Sequence, residues 1–198
     1  TSHGPLPVFH QAAEEPTALD AAAHIYTSSA SWDRVFHRAK GHVRVAVLGG
    51  SVSAGCRGNE CNIEHSWARY LASWLGEFPG VRFDVRVWAR RAVFPEYFQS
   101  CTDRFVSEAD IVLLEFEPNM QAGSTPCNLG RLPSAIRQVA PAARIIAVGW
   151  PTSRGGRSSA SACENSLRAT LPAQDADLVL ASPLLHLLDP ADRYADGV

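Results

Sequence analysis

Apolar residues in this chain fall into short, β-branched runs separated by stretches with helical spacing. The first run, Val43-Arg44-Val45-Ala46-Val47-Leu48, is apolar at nearly every position, as expected of a strand buried on both faces of a parallel sheet. Ile111 to Phe116, Arg144 to Gly149 and Leu178 to Ala181 repeat that pattern. Val81 to Trp88 differs: Val, Phe, Val and Val alternate with Arg and Asp, the period of two that marks a half-exposed strand. After the first strand the spacing predicts a helix from Ser66 to Phe78, with Trp67, Tyr70, Leu71, Trp74 and Leu75 on its apolar face and Pro79-Gly80 as its stop. Further helical stretches lie near Leu129–Val139 and Ala162–Leu171. Ahead of the first strand, Ala18 to Ala30 and Trp32 to Lys40 read as two helices, the second capped by Ser31 and carrying Trp32, Val35, Phe36 and Ala39 as a packing face. Residues 1–17, rich in proline and small side chains, read as an extended arm.

Strands alternating with helices at these lengths predict right-handed βαβ units. The expected architecture is a flavodoxin-like, three-layer α/β/α sandwich with a parallel sheet of about five strands. Residues 1–42 would form an arm and helices packed on a domain of residues 43–198.

Composition narrows the function. The chain has 198 residues, 46% hydrophobic and 19% charged, enough for one domain with a substantial core. A net charge of -2 supplies no basic field for nucleic acid or an anionic membrane. No apolar run reaches the ~18 residues that a membrane-spanning helix requires. The opening Thr1-Ser2-His3-Gly4 lacks an initiator Met, which suggests a processed chain or part of a longer one.

Five cysteines raise the question of redox state. Cys56, Cys61 and His65 have a spacing that fits no common zinc pattern and supply three ligands only. A disulfide closing the Cys56–Cys61 loop is the favoured reading, with Cys101 and Cys127 as a second candidate pair and Cys163 left over. Disulfides would place the protein in an oxidising, extracytoplasmic or secreted setting. The alternative is five reduced, buried thiols.

The richest chemistry lies where the first strand ends. Gly49 and Gly50 allow a sharp turn, and Ser51 and Ser53 then sit at the rim where open α/β sheets bind ligands. A phosphate-binding loop is excluded, because no Lys follows Lys40. The spacing of Gly49, Gly50 and Gly55 does not give a dinucleotide fingerprint, and Ser53 occupies the second glycine position of a G-x-S-x-G elbow. The remaining pattern is G-G-S-x-S-x-G.

That pattern, Gly49-Gly50-Ser51-Val52-Ser53-Ala54-Gly55, resembles the first sequence block of the SGNH (GDSL-type) hydrolases, with Gly50 in place of that family's Asp. The resemblance implies that Ser51 is a nucleophile whose backbone N–H also serves the oxyanion hole. Asn119, right after the third strand, matches the family's oxyanion-binding Asn, although Glu117 and Met120 replace the flanking Gly and Asp. The second-block glycine corresponds to Ala92, whose N–H would be the remaining donor and whose Cβ resists positive φ. Asp196-Gly197-Val198 resembles the segment just before the catalytic His, so Asp196 would orient a base in the residue following Val198, supplied by a continuing chain or a protein partner. His186, His65 and His42 are the other bases considered: one lies among leucines, one opens the first long helix, and one precedes the first strand at the far end of the sheet. The resemblance covers about Val43 to Val198 and implies a serine esterase needing no metal or organic cofactor. Its substrate would be a small ester or an acylated carbohydrate, for instance a carbohydrate O-acetyl group. The rival readings are an inactive scaffold serving as a structural, interaction or carbohydrate-binding protein, and a transferase using the same serine.

Overall fold

The computed structural model describes residues 35–116, 128–149, 166–167, 169, 171 and 176–180. The elements are β1 (His42–Gly49), the two-residue strands β2 (Cys56–Arg57) and β3 (Glu60–Cys61), a 3-10 turn at Ile63–His65, and α1 (Trp67–Leu75). β4 (Arg82–Ala89), α2 (Glu96–Gln99), α3 (Thr102–Val106), β5 (Ile111–Glu115), α4 (Leu132–Val139), β6 (Arg144–Gly149) and β7 (Ala176–Leu180) follow. Residues 35–39 are helical and precede β1.

Five strands form one sheet in the order β4-β1-β5-β6-β7, and every adjacent pair is parallel. This is the flavodoxin-like order, in which the chain moves from β1 to one side and then returns to the other. The α/β sandwich expected from the sequence is therefore the architecture found.

Alternation along β1 separates two cores. Val43, Val45 and Val47 point to one face, where they meet Ile111, Leu113, Ile146, Val148, Val35 and Ala68. Ala46 and Leu48 point to the other, against Val112, Leu114, Phe98, Val106, Leu132 and Ile136. Helical residues 35–39 and α1 thus cover one face, and α2, α3 and α4 the other. β4 lies at the edge of the sheet and has no fully buried residue, in keeping with the half-exposed strand that its alternation predicts. At the amino end of the sheet, buried Asp110 accepts hydrogen bonds from Arg38 Nη2 at 3.1 Å and the Arg44 backbone N–H at 2.9 Å.

Two expectations need correction. The helix after β1 ends at Leu75, a turn before Pro79, with Gly76 as its cap; a glycine in the next turn would cost about 1 kcal/mol of helix stability. Trp74 does not enter the core: it is 49% exposed and packs edge-on against Phe78. The short α2 and α3 and the β2–β3 hairpin have too few residues to show a period and were not expected. The helix expected at 18–30, the arm at 1–17 and most of the 162–171 helix lie outside the described residues.

Candidate active site

β1 ends in a glycine for a steric reason. Gly49 pairs with Ala89 on one side and Glu115 on the other, and Ser53 folds back directly over it. A Cβ on Gly49 would collide with the Ser53 Oγ and Cβ, which are fully buried. The turn is closed by main-chain bonds from Ala54 N–H to Gly50 O (3.0 Å), Gly55 N–H to Val52 O (3.1 Å) and Cys56 N–H to Ser51 O (2.9 Å). Gly55 has φ +64°, and a side chain there would run into the Asn62 carbonyl. The two serines consequently have different fates. Ser53 is 0% exposed and hydrogen-bonded inward, so no substrate reaches it, whereas Ser51 is only half-buried at the carboxyl end of β1.

Inward, Ser53 meets a carboxyl group. Its N–H and Oγ–H both donate to Glu115 Oε2, at 3.0 and 2.7 Å, and Trp67 Nε1 donates to Ser53 Oγ at 3.0 Å. Glu115 is 1% exposed, at the last position of β5 on the α1 face of the sheet. Glu115 was not singled out in the sequence, where it sits within the apolar run IVLLEF. Its signal was available: an acid inside a doubly buried strand requires polar partners close by.

The loop after β4 leaves the sheet beside the Ser51 turn. Arg90 N–H donates to Gly49 O at 3.2 Å, and Ala92 follows with φ +56°. The alanine thus adopts the left-handed backbone that its Cβ disfavours, at a cost of about 1–2 kcal/mol. Arg91 Nη1 donates to Asn59 Oδ1 at 2.7 Å, which joins this loop to the β2–β3 hairpin.

The hairpin is closed by the Cys56–Cys61 disulfide. Both sulfurs being in that bond, a metal site with His65 has no thiolates to use. Cys101 carries a free, exposed thiol. Among the described residues no group of three or more His, Cys, Asp or Glu could hold a metal ion, and no helix is long and apolar enough to cross a membrane. His65 is exposed in the 3-10 turn, and His42 lies at the amino end of β1, away from Ser51. Asn119, Cys127, Cys163, His186 and Asp196 lie outside the described residues.

No protein-family model and no curated protein matches the sequence. Solved structures do match. A two-domain esterase active on acetylated mannans superposes with a TM-score of 0.61 at 15% identity, over 86% of this chain and 47% of its own. The same kind of esterase co-crystallised with mannopentaose gives 0.59 at 17% identity, over 83% and 46%. The fold is shared with these esterases. This chain spans about half the length of those two esterases. Within this fold, the Ser51 turn and the Ala92 loop occupy the carboxyl ends of two adjacent strands, on the side of β1 opposite β5 for Ala92 and at the β1–β5 switch point for Ser51.

Proposed function

We propose that the protein is a serine esterase of the SGNH type, with Ser51 as nucleophile. Ser51 Oγ attacks the ester carbonyl, the alcohol leaves, and water then releases the acyl group from the serine. The backbone N–H groups of Ser51 and Ala92, with the Asn119 side-chain amide, bind the oxyanion. Asp196 orients a histidine in the residue following Val198, which takes the Ser51 proton. A carbohydrate O-acetyl ester is the proposed substrate class, a choice supported by the mannan-active esterases that share the fold. The Cys56–Cys61 disulfide supports an oxidising, extracytoplasmic setting.

One observation carries the reading: of the two serines in the turn after β1, the buried one is committed to Glu115 and the half-buried one stands at the carboxyl end of β1, where the strand order reverses. A second reading, a non-catalytic scaffold that retains the cleft, is favoured by Glu117 and Met120 where the family has Gly and Asp. Hydrolysis of acetylated mannan or xylan by the full-length protein, abolished in Ser51→Ala, is the expected result. Carbohydrate binding without acetate release would select the scaffold.

A further inference from the structure

Glu115 holds the turn at two points that flank Ser51 in the chain. Its backbone carbonyl accepts from Gly50 N–H at 2.9 Å, and its Oε2 accepts from the Ser53 N–H and hydroxyl. Ser51 is thus carried between two residues pinned to the last residue of a central strand. Trp67, at the start of α1, adds a third anchor through Ser53 Oγ. Ser53 and Glu115 are 0% and 1% exposed, and no step of the proposed reaction uses their side chains or that of Trp67.

We propose that Glu115 is a positioning residue, acting through Ser53 and supported by Trp67, that fixes the hydroxyl and backbone N–H of Ser51 in their reactive geometry. A carboxylate oxygen makes stronger hydrogen bonds to these two donors than an amide oxygen would. A loose turn would leave Ser51 present but misplaced, and a displacement of about 1 Å at a reacting group can cost on the order of a hundredfold in rate. The inference rests on the esterase reading for its catalytic consequence, but not for the positioning itself.

The test combines two readouts on the full-length protein and on Glu115→Ala, Glu115→Gln and Ser53→Ala. The first is the rate of labelling of Ser51 by a fluorophosphonate probe. The second is hydrogen exchange of the amides of residues 50–55. Glu115→Ala is expected to label about ten- to a hundredfold more slowly than the parent protein, with Glu115→Gln recovering part of the loss and exchange at 50–55 accelerated in both. Ser53→Ala, a small change that removes two of the three side-chain bonds, gives the same direction if Glu115→Ala does not fold. Folded variants that label at the parental rate with unchanged exchange overturn the proposal. If the parent protein itself is unlabelled at Ser51, the esterase reading fails, and the exchange data alone decide the positioning claim: faster exchange at 50–55 supports it, unchanged exchange overturns it.

Discussion

Ala92 and Lys40 are the two non-glycine residues with positive φ among those described, and Ala92 occupies the position where the resemblance expects a glycine. Its replacement by glycine separates local strain from packing. Holding an L-residue in the left-handed region costs about 1–2 kcal/mol, which glycine does not incur. Glycine returns about 0.4–1 kcal/mol of that through the greater freedom of the unfolded chain. The Ala92 methyl is exposed, so its removal forfeits no buried surface. Ala92→Gly is therefore expected to raise stability by about 0.5–1 kcal/mol, a shift of roughly 1–4 °C for a chain of this length. Urea unfolding followed by tryptophan fluorescence measures it, with an unchanged slope showing that the comparison is of like transitions. Ala92→Val should move the other way, since a β-branched residue at φ +56° adds strain. A destabilised Ala92→Gly would refute the left-handed geometry, because glycine in ordinary extended or helical backbone loses stability relative to alanine.

Three further outcomes follow from the geometry. Gly49→Ala should cost about 2–4 kcal/mol, combining overpacking against Ser53 with disruption of its hydrogen bonds, and adding Ser53→Gly should recover part of that loss in the same urea assay. Reduction of the Cys56–Cys61 bond, whose sulfurs close a loop of sequence separation 5, should lower stability by about 2 kcal/mol in the loop-entropy account. A melting temperature indifferent to reductant would contradict it. Asp110→Asn should cost about 1–2 kcal/mol, because the buried carboxylate loses its charged interactions with Arg38 and Arg44 while the two arginines, 39% and 41% exposed, remain hydrated.

The sheet was legible in the sequence because burial on both faces leaves a strong pattern. Every predicted strand is present within a residue or two, and the alternation of β4 correctly marked a strand that is only partly buried. The serine turn was also legible, since paired glycines after such a strand announce a sharp turn at the binding rim. What stayed hidden depends on contacts between distant residues. Nothing local in GGSVSAG distinguishes the serine that is buried from the one that stays half-buried; that distinction comes from Glu115, 62 residues beyond Ser53, and from Trp67. The left-handed conformation of Ala92 runs against local preference, and only the match to a glycine position pointed to it. Trp74 matched the apolar face of α1 by spacing, yet the helix turns only Ala68 fully into the core and leaves this indole at the rim beside Phe78.

The central claim is that Ser51 is an activated nucleophile. Incubation of the full-length protein with a fluorophosphonate probe, followed by peptide mapping, tests it most directly. The account predicts a single adduct on Ser51, none on buried Ser53, and loss of the adduct in Ser51→Ala. An unlabelled protein, or an adduct on another residue, would contradict it.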